Sequence, residues 1–231
     1  MRLFAAVVPP PAAIRELAAA VAALSALPEA RALRWTGQPT WHLTLAFLGQ
    51  VDATAVPDLE MRLARAAATL DETPELRLAG GGCFGDRALW VDVRGDTRAL
   101  RSLADEVAAA ARDAGIELDE RPFRAHLTLA RATGRAGDRR NDPRGPRDPR
   151  IVRSGREGRE GRDGREGRDG REGRDGRGGG TLGPLVDALS DFSGAPWPAT
   201  DLRLMRSHLG AGPAHYETVG EWALGAAGNE R

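Results

Sequence analysis

The chain has 231 residues, 41% of them hydrophobic, with 33 basic and 33 acidic side chains balancing to zero formal charge and a single cysteine, Cys83. That length supports a substantial core without covalent staples. The charge balance removes any global electrostatic case for a duplex-DNA or membrane-surface binder, and one cysteine excludes a disulfide framework and a multi-thiolate zinc site.

In chain order, RLFAAVV is predicted as a buried strand, and Pro9, Pro10 and Pro11 turn it into a helix. The apolar run LFAAVV is only six residues long, short of the roughly 7 to 15 of a secretory signal, and no stretch approaches the roughly 18 apolar residues of a membrane span. The expectation is a soluble, cytoplasmic protein. The helix carries Ile14, Leu17, Val21 and Leu24 on one apolar stripe. RALRW and WHLTLAFLG follow as strands, then a helix from Ala53 to about Leu70 capped by Asp52 or Thr54. ELRLAGGGCFG and ALWVDVRG form two strands joined near Asp86, a helix covers Thr97 to Ala114 with Gly115 at its end, and FRAHLTLAR is a further strand.

Composition then changes abruptly. Residues 134–180 run through RAGDRRNDPRGPRDPR into alternating Arg-Glu-Gly and Arg-Asp-Gly, with almost no apolar side chain, so this stretch lacks the apolar surface to offset its ordering entropy and is expected to be a disordered insertion. Because acidic residues neighbour nearly every arginine, its field is cancelled beyond about 8 Å, which weakens a role as an RNA tether. TLGPLVDALSDF is predicted as a short helix, and DLRLMRSHLG and AHYETVGEWAL as two strands turning at Gly212 and Pro213.

Two of the four histidines sit in one repeated word, His-Leu-Thr-Leu-Ala, at 42–46 and again at 126–130. In a strand, alternate side chains share a face. His42 with Thr44, and His126 with Thr128, therefore present an imidazole beside a hydroxyl, while the leucines face the core. Two such surfaces suit phosphoryl transfer by a general acid and a general base, with hydroxyls holding phosphoryl oxygens and no metal or cofactor needed. A two-histidine zinc site lacks a nearby third ligand, and no G-x-S-x-G nucleophile turn occurs. The ordinary histidine value places both limbs of the pH profile near about 6.5, shifted by local charge. Phe47, Trp35, Trp41 and Phe84 are candidates to stack a terminal base, with core packing as the competing role. His208 and His215 lack the motif and are expected to be surface or structural residues.

The paired motifs WHLTLAFLG and FRAHLTLAR, supported by RLFAAVVPP, CFGDRALWVDV and LRLMRSHLGAGPAHYETVGEWAL, resemble the 2H phosphoesterase superfamily, most closely its bacterial RNA 2′,3′-cyclic phosphodiesterases, formerly called 2′-5′ RNA ligases. The resemblance spans the chain except 134–180. It implies a single α+β domain, bilobal and internally duplicated, with two antiparallel-type sheets facing a central cleft and helices outside. It further implies a monomer acting on RNA ends that bear a cyclic phosphate, His42 and His126 as acid and base, and Thr44, Thr128 and Arg131 as phosphate-binding groups. The residues leave open which histidine is the acid and which the base; the family pattern points to His42 as the acid and His126 as the base. The alternatives kept beside this reading are 2′-5′ ligation, cleavage of a small cyclic nucleotide at the same site, and a non-catalytic binder of RNA phosphate ends. Arg131, five positions after His126, has the wrong parity for the histidine face of a regular strand, so it must reach the phosphate from a strand end or a bulge. Tyr216 matches a family position expected to serve packing.

Overall fold

The computed structural model describes residues 1–119, 121–133, 182–208 and 214–225; the stretch at 134–180 and the Gly212-Pro213 turn lie outside the described residues. Its strands and helices are β1 (Arg2–Val7), α1 (Pro11–Ser25), β2 (Leu33–Trp35), β3 (Leu43–Gln50), α2 (Val56–Ala67), β4 (Glu75–Cys83), β5 (Ala88–Gly95), α3 (Thr97–Asp113), β6 (His126–Ala132), α4 (Gly183–Leu189), β7 (Trp197–Pro198), β8 (Asp201–His208) and β9 (His215–Ala223). Every predicted strand and helix that lies in described residues is present. The second helix is shorter than expected, ending at Ala67 after a 3-10 turn over Ala53–Ala55. Asp52 caps that turn by accepting a hydrogen bond from the Thr54 amide at 2.9 Å. Pro11 opens α1, where its missing N–H costs nothing. Gly115, at φ 78°, supplies the left-handed residue after α3.

The strands form two antiparallel sheets, ordered β3-β1-β8-β9 and β2-β6-β5-β4-β7. Segments from both sides of the 134–180 stretch build both sheets, since β8 pairs with β1 and β7 with β4. The two-residue β7 has no signature in the sequence: Trp197 is buried beside Leu76 at the sheet edge, and its neighbours are prolines.

Alternation decides what each sheet faces. Leu3, Ala5 and Val7 of β1, Leu43 and Leu45 of β3, Leu89, Val91 and Val93 of β5, and Leu127 and Leu129 of β6 join one hydrophobic core with residues of all four helices. Helices α2 and α3 pack against the first sheet, at β9 and β3, while α1 and α4 pack against β4 of the second. Thus α1 follows a strand of the first sheet and covers the second, and α3 does the converse. On the opposite face of the first sheet, Phe4, Ala6 and Met205 make a separate small cluster with Val8 and Tyr216, to which no helix contributes. The even-numbered residues of β5, including the buried Trp90, lie likewise outside the main core. Among the described residues no helix is long and apolar enough to cross a membrane.

Candidate active site

Each repeated word places its histidine at the start of a strand, and β3 and β6 lie against one another although they belong to different sheets. The pairing registers hold a feature that simple alternation does not foresee. In β3, Ala6 faces Thr44 and Ala5 faces Ala46, so Leu45 is the extra residue of a β-bulge. In β6, Trp90 faces Thr128 and Leu89 faces Ala130, so Leu129 is the extra residue there. The bulge falls at the same letter of both words. It reverses the parity of the residues beyond it, so Arg131 comes opposite Ala88, on the face of Trp90, Thr128 and His126. By the same step Phe47 comes opposite Phe4, on the face of Thr44. The arginine expected to need a bulge has one, and Phe47 is carried to the histidine side by its counterpart.

The imidazoles are held alike. Nδ1 of His42 is 2.7 Å from the Thr40 carbonyl and Nδ1 of His126 is 2.8 Å from the Arg124 carbonyl. A carbonyl only accepts, so each Nδ1 carries the proton and Nε2 holds the lone pair of the neutral ring. Burial lowers both pKa values. For His42 desolvation is the largest cause, the Thr40 bond opposes it, and the charges of His126 and Arg131 add to it, bringing the pKa from 6.5 to about 4. For His126 desolvation again leads, the Arg124 carbonyl opposes it, the charges of Arg124 and Arg131 lower it further, and Asp92 raises it. Both rings are therefore neutral at pH 7, displaced to the acid side of the ordinary histidine value. The charge of Arg131 acts on both rings and that of His126 on His42, so the two motifs converge on one locality.

The rings pack in aromatic settings. His42 lies 4.7 Å from the Phe4 ring and edge-on to Tyr216 at 5.3 Å, while His126 stands edge-on to Phe84 at 5.0 Å. Arg124 stacks over Trp90, 4.4 Å from the ring, and the buried Trp90 indole N–H has no hydrogen-bond partner among the described residues. Tyr216 serves packing, as expected, but its packing partner is a site histidine.

The candidates for base stacking separate. Phe47 is 67% exposed and Phe84 is 40% exposed. Trp35 packs against the core, and Trp41 is buried, which removes it as a stacking residue. Its indole N–H instead donates to Thr36 Oγ1 at 3.0 Å, and Thr36 Oγ1 lies 2.9 and 2.8 Å from the Thr128 and Leu129 carbonyls. A short chain of bonds thus ties the residue before His42 to the bulge after Thr128. Phe4, Thr36, Trp90, Asp92 and Arg124 belong to the site surroundings without any motif to reveal them; only the alternation of ALWVDVRG hints that Trp90 and Asp92 share a non-core face. His208 and His215 form an exposed cross-strand pair, with His208 Nε2 2.9 Å from Glu217.

A family model described as LigT-like phosphoesterase matches residues 8–90, which include the first motif. The fold extends the match across the second: a crystal structure of a Thermus thermophilus protein superposes over 100% of both chains, with a TM-score of 0.62 and 25% identity. Residues 8–90 thus match a LigT-like phosphoesterase, within a fold shared over the whole length of a solved structure. Among other solved structures, Escherichia coli LigT complexed with 3′-AMP is 25% identical over 96% of this chain and 97% of its own, with a TM-score of 0.60. An RNA 2′,3′-cyclic phosphodiesterase of Geobacillus stearothermophilus is 38% identical over 102 residues, 42% of this chain and 32% of that one. Across the curated relatives it matches, the chain spans between 32% and 55% of their length.

Proposed function

We propose that the domain hydrolyses the 2′,3′-cyclic phosphate at the end of an RNA strand to a 2′-phosphomonoester, as a cytoplasmic monomer and without a metal ion. The observation that carries this reading is the pair of identically held imidazoles, each with Nδ1 bonded to a backbone carbonyl and Nε2 left for proton transfer, under the shared charge of Arg131. Water attacks phosphorus as one Nε2 takes its proton. The P–O3′ bond breaks as the other imidazole, in its protonated form, gives a proton to O3′, leaving the phosphate on O2′. The family resemblance makes His126 the base and His42 the acid. The anionic substrate itself supplies the condition for the acid: its negative charge raises the depressed pKa of the nearby imidazole and favours the charged ring.

Thr44, Thr128 and Arg131 share the faces of the two histidines and would donate to the non-bridging oxygens. Phe47, exposed on the Thr44 face, offers a stacking surface to the terminal base. The 3′-AMP bound by E. coli LigT is a nucleoside with a phosphate at its ribose end, the chemistry this arrangement would hold.

The decisive measurement is turnover of a short RNA ending in a 2′,3′-cyclic phosphate, in excess EDTA, by wild type, His42→Ala and His126→Ala. Conversion to a 2′-phosphate end is expected for wild type, with a loss of about 10²- to 10⁴-fold in each variant. Abolition by EDTA, or full turnover by either folded variant, overturns the reading.

A further inference from the structure

The face of the second sheet that bears His126 and Thr128 continues beyond them. Asp92 pairs with His126, and Arg94, two residues further along β5, has the same parity and pairs with Arg77 of β4. Both arginines therefore lie on the histidine side of the sheet, opposite the core-facing Leu76, Leu78 and Val93. They line a cavity of about 380 Å³ together with Gly80, Ser190, Asp191 and Ser193. The wall opposite the arginines comes from the segment after α4, which runs alongside β4 by hydrogen bonds from the Gly80 amide to the Phe192 carbonyl and from the Gly194 amide to the Leu78 carbonyl. Gly80, at φ 68°, sits in the irregular part of β4, and a Cβ there would lie 3.7 Å from the Arg94 guanidinium. Neither Arg77 nor Arg94 forms an ion pair among the described residues. Asp191 offsets one of the two charges, which leaves the cavity one positive charge and two serine hydroxyls.

The geometry points to this cavity as a second phosphate subsite, for the phosphodiester one or two nucleotides upstream of the reacting RNA end. It rests on the reading of His42 and His126 as the cyclic-phosphate site. With about 3.3 Å per residue along a strand and about 4.8 Å between strands, the backbone of Arg94 lies about 8 Å, and that of Arg77 about 12 Å, from that of His126. Sugar–phosphate repeats of a single strand cover such separations. A nucleotide whose 2′ and 3′ oxygens are both held in the cyclic phosphate can extend only through O5′, so any further phosphate on the face belongs to the upstream chain. Two guanidinium groups and two hydroxyls suit a phosphodiester anion. Asp92 stands between Trp90 and Arg94 on this face, and Trp90, level with Thr128, fills the floor beside the histidine motif; Gly82 makes room for it, since a Cβ there would meet its ring.

The test is equilibrium binding of an RNA trinucleotide ending in a 3′-phosphate and of the matching 3′-mononucleotide, by wild type and by Arg77→Ala/Arg94→Ala, with Arg77→Gln/Arg94→Gln as the gentler pair. Wild type is expected to prefer the trinucleotide by roughly tenfold or more, and either double variant to lose that preference while holding the mononucleotide unchanged. The salt slope for the trinucleotide should fall by about 0.7 with the charge removed. A neutral methylphosphonate at the upstream linkages should remove the preference in wild type and change nothing in the variants. An equal preference in wild type and variants, or none in wild type, overturns the subsite. Turnover of the cyclic-phosphate RNA is measured in parallel. Absent turnover with an intact, arginine-dependent preference would defeat the catalytic reading and leave the subsite standing.

Discussion

The two His-Leu-Thr-Leu-Ala words are the same five residues in two surroundings. Their local geometry is shared: each histidine gives Nδ1–H to a backbone carbonyl, each threonine takes the histidine face, and each second leucine is the extra residue of a bulge. What differs is what the rest of the fold brings against them. His42 lies among Phe4 and Tyr216, and its pKa falls to about 4. His126 has Phe84 and Trp90 around it but also Asp92, whose charge restrains the fall. Five positions on from the histidine, the bulge delivers Phe47 in the first copy and Arg131 in the second. Duplication thus supplies two identically held imidazoles, and divergence around them makes one half apolar and the other cationic, a contrast that the proposed substrate, with a base at one side and a phosphate at the other, would use.

The sharpest way to break this division is to remove the two bulge-delivered residues in turn. Arg131→Ala is expected to lower kcat by about 10²- to 10³-fold, because its donors would meet charge that develops on the phosphoryl oxygens. Phe47→Ala is expected to raise KM by roughly tenfold with kcat nearly unchanged, since stacking holds substrate and transition state alike. Its thermal stability should not move, because the ring is exposed. Equal kcat losses in the two variants would mean that both residues serve the same step.

Next in size is the acid sensitivity that comes from burying His42. Folding depresses its pKa from 6.5 to about 4, so below about pH 6.5 the unfolded chain takes up a proton that the folded chain refuses. Stability is fully present above that pH and declines by up to roughly 3 kcal/mol as pH falls to 4. Chemical denaturation across this range should show a smaller decline in a folded His42→Gln variant; an identical decline would place the ring in a more hydrated setting.

The smallest expected effect concerns the contrast between the rings. The kcat/KM profile of the free enzyme should be a bell lying acid of 6.5, its lower limb set by His42 and its upper limb by His126, and the kcat profile should lie at higher pH because bound phosphate raises both. Asp92→Asn removes the charge that supports protonated His126, so the upper limb is expected to move down toward the lower one. A shift of the lower limb alone would assign the limbs the other way round.

Element types were legible in the sequence because their signals are local: the apolar stripe of α1, the alternation of HLTLA and ALWVDVRG, the glycine after α3. The histidine and threonine pairing was legible for the same reason, since a strand's period of two places them on one face whatever the strand pairs with. Repetition then singled them out from the other two histidines. The reach of Arg131 could be stated only as a conflict of parity, and Phe47 only as an aromatic near a motif. A bulge is a property of two paired strands, and neither word names its partner.

Everything that tunes the site was settled between segments far apart in the chain. Asp92 comes beside His126 through the register of β5 with β6, Tyr216 reaches His42 from β9, and Thr36 bridges Trp41 to the Thr128 and Leu129 carbonyls. The row from His126 to Arg94 and Arg77 exists only once three strands are aligned. The sequence by itself determined which side chains are repeated as candidates for proton chemistry and which of them share a face, because both follow from the written word and from the local period of a strand. Only the tertiary structure decided how strongly each imidazole holds its proton and where the neighbouring charges stand, because burial and Coulomb interactions depend on distances through space.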